Sequence, residues 1–189
     1  MAVPTTEFTA HETEIPGLIW FDVTSIGDDR GWYQENFQKK KLVDAGLPES
    51  FNIVQNSFSY NKLKGVTRGF HAEPWDKYIT VIKGEVFANY VDLRKGDSFG
   101  KTFSLEINSN ISVFLPRGVA NSFQTTEDDT YYVYSVNDFW SADKYDDYLF
   151  VNLADPKIKS QWPIPLEQAT MSERDRNHPM LKDINPMEF

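Results

Sequence analysis

The sequence has 189 residues, enough for one domain with a substantial core, and its length does not call for a second. It carries a formal net charge of −9, and its pI is near 4.8. We therefore expect no nucleic acid partner, because binding to a phosphate backbone needs a broad cationic face. A single anionic small molecule stays allowed, since it needs only a few local cations.

The chain contains no cysteine, which excludes disulfide bonds, thiolate zinc sites and thiol nucleophiles. The first ten residues lack the basic and apolar regions of a secretory signal, and no run approaches the roughly 18 apolar residues of a membrane span. The sequence thus predicts a cytoplasmic protein with no membrane partner. No repeat or linker interrupts it, so we expect a single domain over 1–189, with a core at about 15–160 and a C-terminal extension at 161–189.

The first predicted elements are two strands and a helix. The apolar run Ile15 to Phe21 favours a strand, and the turn residues Gly27 to Gly31 precede a second strand at Trp32 to Phe37. A helix is predicted over Gln38 to Ala45, capped by Asn36 and ended by the glycine and proline that follow it.

From Phe51 onward the pattern is one of short strands. Thr102 to Ile107 alternates between apolar and polar residues, and Ile111 to Leu115 repeats that period. Glu85 to Leu93 and Tyr131 to Val136 are rich in β-formers without alternation, as expected of strands buried on both faces. Turn residues recur every 8 to 12 residues, which is the spacing of a sandwich or barrel. The predicted fold is all-β, a jelly roll with short peripheral helices.

The stretch Gly65 to Lys77 concentrates groups that can carry chemistry. It holds Arg68, Lys77 and His71, one of only three histidines. The His71 imidazole could ligate a metal, carry protons or simply pack in the interior. An ordinary imidazole pKa of about 6.5 suits a general base at neutral pH.

A histidine on a jelly-roll strand resembles the cupin barrel, whose metal sites combine a His-x-His motif, a glutamate and a Pro-x-Gly-x-x-His motif. The first motif is reduced here to His71-Ala72-Glu73, and Asn121 stands where the second places its histidine. Two imidazoles are missing from the set that a first-row metal needs. We therefore expect no metal, and the residues alone leave His71 either as a proton carrier or as a hydrogen-bonded interior histidine.

Seven segments resemble, in order and spacing, those of the dTDP-4-dehydrorhamnose 3,5-epimerase family. The residues around His71 are similar to those of a streptococcal branch of this family. The seven segments span nearly the whole chain, at 27–35, 68–71, 77–87, 91–94, 116–123, 134–141 and 172–181. The resemblance implies a cupin jelly roll without metal or cofactor. It also implies a dTDP-linked 4-keto-6-deoxyhexose as substrate, with proton exchange at C3 and C5.

The resemblance assigns four catalytic positions. His71 would remove the protons, with Asp175 orienting its ring, although Asp175 also reads as part of a capping box that begins at Ser172. Lys77 would stabilise the enolate oxygen. Tyr134 would return the proton on the opposite face, but strand parity alone places Tyr132 on the same side and does not choose between them.

The resemblance also implies substrate contacts and a homodimer with exchange of the N-terminal strand, so that some contacts would serve the neighbouring subunit. Asn121 replaces a family histidine near the phosphates. The alternatives are a single-centre epimerase or ketoisomerase, a non-catalytic sugar-binding cupin, and a metal-dependent cupin oxygenase. The predicted substrate-binding residues are Arg30, Tyr33, Glu35, Gln55, Asn56, Arg68, Asn121 and Trp140.

Overall fold

Two antiparallel β-sheets that face each other form most of the structure, a computed structural model that describes residues 5–189. Among these residues, no helix is long and apolar enough to cross a membrane. The all-β prediction is confirmed, and the two facing sheets have the arrangement of a cupin-like jelly roll. In spatial order, the larger sheet contains β1 (Phe8–Glu12), β2 (Ile19–Val23), β10 (Ile111–Leu115), β7 (Lys77–Lys83), β12 (Thr130–Val136) and β5 (Gln55–Asn61). The smaller contains β13 (Leu149–Phe150), β6 (Thr67–Ala72), β11 (Val119–Thr125), β8 (Val86–Asp92) and β9 (Thr102–Ile107).

The main core lies between the two sheets. Ile79 and Tyr132 extend into it from the larger sheet, and Tyr90 and Phe123 from the smaller one. Each fully buried large side chain contributes about 1.5–3 kcal/mol of apolar burial, which holds the sheets together. The alternation predicted for 102–107 is confirmed, since Phe103, Leu105 and Ile107 all join this core.

The C-terminal extension covers the outer face of the smaller sheet. Its apolar side chains, including Leu166 and Leu181, pack in one cluster with Phe70 and Val91 of that face. Thr170 fixes the register, because its carbonyl accepts the N–H of Thr67 at 2.9 Å. This pairing brings α2 (Glu173–Arg176) against β6, although the two elements are about a hundred residues apart in the chain.

α1 (Lys39–Ala45) covers part of the outer face of the larger sheet through Leu42. The predicted cap was wrong: Gln38 is the N-cap, and its side-chain oxygen accepts the N–H of Lys41 at 2.8 Å. Asn36 is held elsewhere, since its amide lies 3.4 Å from the Thr80 hydroxyl and its carbonyl accepts the Tyr78 hydroxyl.

The two strands predicted at 15–21 and 32–37 have different bounds in the structure. The predicted strand at 15–21 is β2, which begins only at Ile19 because Gly17 adopts a left-handed φ of 80° in a turn. The turn predicted at 27–31 joins β3 (Ile26–Asp28) to β4 (Gly31–Tyr33) in a separate small hairpin. β4 ends at Tyr33 rather than at Phe37, so this hairpin projects from the sandwich as a short two-stranded unit.

Candidate active site

A cavity of about 160 Å³ opens between the two sheets. Strands β6 and β11 form one wall and β7 and β12 the other, so residues distant in the chain share one space. The cavity is lined by Ser59, Arg68, His71, Glu73, Lys77, Ile79, Asn121, Phe123, Tyr132 and Tyr134.

His71 and Asp175 form a hydrogen-bonded pair at one end of the cavity. His71 Nε2 lies 2.8 Å from Asp175 Oδ1, and the side chain of Asp175 is only 7% exposed. The α2 cap holds this carboxylate in place, because the N–H of Asp175 donates to Ser172 Oγ at 3.1 Å. Burial opposes the charged carboxylate, but the hydrogen bond and charge of His71 outweigh it and lower the pKa of Asp175. Asp175 is therefore a carboxylate at neutral pH, which suits an acceptor for the imidazole N–H.

The same oxygen of Asp175 has a second imidazole partner. His178 Nε2 lies 3.1 Å from Asp175 Oδ1, and His178 is buried. Its ring stacks on Phe150 with centroids 4.7 Å apart, and Phe150 in turn meets His71 edge-on at 5.4 Å. His71 is thus held by one hydrogen bond and by aromatic contacts on its flank.

Lys77 is a buried cation with two polar partners. It is 4% exposed, and its ammonium donates to Asn121 Oδ1 at 2.7 Å and forms an ion pair with Glu73. A buried charge needs such partners, because an unpaired ammonium would lose several kcal/mol of hydration. The pairing fixes the Lys77 ammonium inside the cavity, where a developing negative charge could be stabilised.

The two tyrosines left open by strand parity occupy different environments. Both Tyr132 and Tyr134 line the cavity from β12. Tyr132 is 2% exposed, stacks on Phe123 with centroids 4.1 Å apart, and its hydroxyl is 3.5 Å from the Asn121 amide. Tyr134 is only half-buried; burial raises the pKa of its phenol, and the charge of Glu73 raises it further. Tyr134 therefore stays protonated at neutral pH and has the more accessible hydroxyl.

Arg68 stands at the mouth of the cavity. Its guanidinium Nε donates to Asn61 Oδ1 at 3.0 Å, and its side chain also lines an adjoining groove of about 410 Å³. His71 borders both spaces, and the groove continues to Ser172 and Arg174 on the C-terminal segment. A ligand could therefore extend from the cavity past Arg68 into the groove.

Three predicted substrate contacts lie outside this cavity in their own chain. Arg30 is 89% exposed in its side chain and pairs with Asp28 at 2.5 Å, and Tyr33 is 64% exposed on the same hairpin. The Glu35 carboxylate accepts the Lys41 ammonium at 2.6 Å, beside α1. The single chain does not bring Arg30, Tyr33 or Glu35 to His71.

Of the other predicted contacts, Gln55 and Asn56 lie on opposite faces of β5. Gln55 and Trp140 line a small pocket next to Tyr134, where Gln55 Oε1 accepts the backbone N–H of Trp140 at 2.9 Å. Asn56 follows Gln55 on the strand and therefore points to the opposite, exposed face of the sheet. Asn56 does not face the cavity of its own chain.

Sequence reasoning assigned no role in the site to Glu73 or His178. The sequence offers Glu73 only as half of a metal motif, but in the structure its carboxylate pairs with the Lys77 ammonium and accepts the Trp75 indole N–H at 3.0 Å. Its spacing of two from His71 was the available signal, because alternate residues share a strand face. For His178 the signal was its place three residues after Asp175 in the segment 172–181, since the turn after α2 brings its ring to that carboxylate.

One group among the residues that the structure describes has ligand atoms close enough together to hold a metal ion, within 4.8 Å of one another. It consists of His71, Asp175 and His178. Two imidazoles and a carboxylate suit a first-row metal. However, both imidazoles already point at one carboxylate oxygen, so hydrogen bonding accounts for the geometry of the cluster.

The fold and the cavity define a cupin-like jelly-roll protein with a histidine–aspartate pair and a buried lysine inside the barrel. The chain belongs to the dTDP-4-dehydrorhamnose 3,5-epimerase family of isomerases, whose model matches residues 12–183. It is 47% identical over 178 residues to "Protein RmlC homolog" of Streptococcus pyogenes, covering 92% of this chain and 89% of that protein. It is 31% identical over 173 residues to the dTDP-4-dehydrorhamnose 3,5-epimerase of Shigella flexneri, covering 88% and 92%.

Among solved structures, it resembles RmlC from Streptococcus suis in complex with dTDP-D-xylose, with a TM-score of 0.90 and 48% identity. The match covers 95% of this chain and 94% of that one. The family resemblance expected from the sequence motifs is thereby confirmed.

Proposed function

We propose that this protein inverts C3 and C5 of dTDP-4-dehydro-6-deoxy-D-glucose and yields dTDP-4-dehydro-L-rhamnose, as a cytoplasmic enzyme of dTDP-L-rhamnose synthesis. One observation carries the proposal: the His71–Asp175 pair, Lys77 and Tyr134 all border the same interior cavity. The names of the Shigella and Streptococcus relatives support the substrate class.

The chemistry follows from the position of the ketone. C3 and C5 both flank the C4 carbonyl, so their protons are acidified by the same group, and loss of either proton leaves an enolate with its charge on O4. One base and one oxyanion partner can thus serve both centres in turn. The reaction needs no cofactor, because a proton leaves and a proton returns.

His71 is the proposed base. When its Nε2–H donates to Asp175, the lone pair of Nδ1 is free to accept a carbon-bound proton. Asp175 fixes this tautomer and stabilises the imidazolium that forms, which a solvated histidine would lack.

Lys77 and Tyr134 complete the set. Lys77 would donate to O4 as the enolate forms, with its ammonium held by Glu73 and Asn121. Tyr134 faces His71 from the opposite sheet and is protonated, so it can deliver a proton to the other face of the enolate. Delivery from the face opposite to abstraction inverts the carbon. Proton exchange with solvent then resets the imidazolium and the phenolate.

The nucleotide is proposed to bind along the groove that leaves the cavity. Arg68 would contact the diphosphate, where a guanidinium matches phosphoryl oxygens, and Gln55 and Trp140 would border the sugar or the base. Asn121, in the family histidine position, is committed to Lys77 and Tyr132 and would reach the phosphates less directly.

A homodimer with exchange of the N-terminal strand is part of this proposal, and the remaining predicted contacts support it. Arg30, Tyr33 and Glu35 lie away from the cavity of their own chain, and the hairpin presents Trp32 and Tyr33 to solvent. A neighbouring subunit would bury these rings and receive Arg30 at its own nucleotide site. Asn56, on the outer face of β5, would belong to the same dimer surface.

The test is proton exchange followed by NMR in D2O, with purified protein and dTDP-4-dehydro-6-deoxy-D-glucose. We expect deuterium at both C3 and C5 and formation of the L-rhamno product. Deuterium at only one carbon would identify a single-centre epimerase instead, and no exchange with retained binding would identify a non-catalytic cupin. Full activity after chelation would count against the metal-dependent oxygenase.

A further inference from the structure

His178 lies outside the proposed catalytic set, yet it shares the oxygen atom on which that set depends. Its Nε2 is 3.1 Å from Asp175 Oδ1, the same atom that His71 Nε2 approaches at 2.8 Å. Two donors on one oxygen restrict the carboxylate more than one does, because rotating Asp175 would break both hydrogen bonds.

The backbone and ring of His178 are held independently of that contact. Asn152 donates its side-chain amide to the His178 carbonyl at 3.0 Å, which ties this residue to the segment after β13. The ring stacks on Phe150 at an interplanar angle of 17° and meets His71 edge-on with centroids 5.7 Å apart. His178 is therefore a rigid donor rather than a mobile side chain.

We propose that His178 is a positioning residue for the epimerase reaction, which fixes the carboxylate of Asp175 and, through it, the ring of His71. The proposal rests on the proposed roles of His71 and Asp175. His178 does not border the cavity itself, so it acts through its neighbours and not on the sugar.

The electrostatics of the cluster agree with a neutral donor. Burial lowers the pKa of His178 and outweighs the opposing hydrogen bond to Asp175, so the ring is uncharged at neutral pH. The other charged or titratable groups that act on it are His71 on β6 and Arg174 on α2. A neutral N–H donor leaves Asp175 anionic and occupies part of its capacity to accept hydrogen bonds. Because this donor carries no positive charge, it does not compete with the His71 imidazolium for the charge of the carboxylate.

The test compares two substitutions at this position. His178→Phe keeps the stack on Phe150 and removes the donor, whereas His178→Gln supplies an amide donor at a similar reach. For His178→Phe we expect kcat to fall about 10-fold with KM within twofold, since a loosened dyad weakens general base catalysis. The acidic limb of its pH profile of kcat/KM should move to higher pH, because Asp175 then serves His71 alone. His178→Gln should bring both kcat and the acidic limb of the pH profile close to their wild-type values.

Leu181→Ala is the matched control for loss of packing in the same segment. Leu181 is buried three residues further on and packs away from the cavity, so this variant should lower Tm and leave the pH profile unchanged. An unchanged profile and kcat in His178→Phe, with an inactive Asp175→Asn, would overturn the role of His178 alone. A fully active Asp175→Asn would instead overturn the proposed catalytic dyad. An equal shift in Leu181→Ala would also overturn the inference, because packing alone would then explain it.

Discussion

The barrel interior and the β3–β4 hairpin differ in how completely one chain assembles them. In the cavity, the charged groups are paired: Lys77 has Glu73 and Asn121, and His71 has Asp175. On the hairpin, Arg30 pairs with its near neighbour Asp28, and Trp32 and Tyr33 are more than half exposed.

This difference separates chemistry from recognition. Folding of a single chain already pairs the charged groups of the cavity, because buried charges must find partners within the chain. The hairpin exposes aromatic area that folding leaves uncovered, which is typical of a surface that another molecule covers.

The largest expected effect is the loss of the base. His71→Asn should lower kcat by about 10³-fold, within the range that general base catalysis contributes. The side chain of His71 is 32% exposed, so the variant should fold with little change in Tm. The rate of solvent deuterium entry at C3 and C5 measures the effect directly. A wild-type exchange rate in a folded variant would mean that another group is the base.

Removing the buried cation should be slightly less severe for catalysis and more severe for stability. Lys77→Met should lower kcat by about 10²-fold to 10³-fold through loss of oxyanion stabilisation. It should also lower the free energy of unfolding by about 3 kcal/mol, since Glu73 is left charged and unpaired in the interior.

The double variant Lys77→Met, Glu73→Gln separates these two effects. Glutamine removes the unpaired charge, so urea unfolding should show stability restored while kcat stays low. Recovery of activity in the double variant would show that the Lys77 ammonium is dispensable for the reaction.

Loss of the proposed acid should uncouple exchange from inversion. Tyr134→Phe should slow product formation by about 10²-fold, while His71 continues to exchange protons on its own face of the sugar. NMR in D2O would then show deuterium entering faster than the epimer forms. Tyr132→Phe is the matched control on the same strand face and should keep the two rates coupled. Coupled rates in Tyr134→Phe would remove Tyr134 from the mechanism.

The hairpin can be tested by subunit complementation. Arg30→Ala should raise KM for the nucleotide substrate by about 10-fold, the value of one lost charge-assisted contact. If Arg30 serves the neighbouring site, coexpressed Arg30→Ala and His71→Asn chains should show roughly a quarter of the wild-type kcat/KM, since half of the dimers are mixed and each has one intact site. Additive loss with no recovery would place Arg30 in the site of its own chain.

The smallest expected effect concerns pH and stability. The folded state lowers the pKa of His178, so between its folded pKa and the ordinary value of about 6.5 the unfolded chain binds more protons at this group. This contribution is fully present above pH 6.5 and is lost as pH falls towards the folded pKa. The free energy of unfolding in urea should therefore drop further between pH 7.5 and 5.5 in wild type than in His178→Phe. An equal drop in both proteins would contradict this assignment.

The sequence by itself determined much of the fold and the chemical class. Alternation at 102–107 and 111–115 and regular turn residues were enough for the jelly roll, because strand period and turn chemistry are local properties. Motifs in register identified the family. Local reasoning failed at Asn36, whose contacts with Thr80 and Tyr78 cross the fold, and it also misplaced the start of β2 and the end of β4.

Only the tertiary structure decided which side chains of the cavity contact one another. Parity placed Tyr132 and Tyr134 on one face, but their different burial and partners depend on the facing sheet. Asn121 reaches Lys77 across 44 residues of sequence, and Asp175 reaches His71 across 104, because the strands and the C-terminal extension are packed together. Glu73 and His178 lie only four and three residues from Lys77 and Asp175, so the sequence shows their spacing. It does not show the Lys77–Asn121 and His71–Asp175 pairs that they join, because those pairs are set by distance in space.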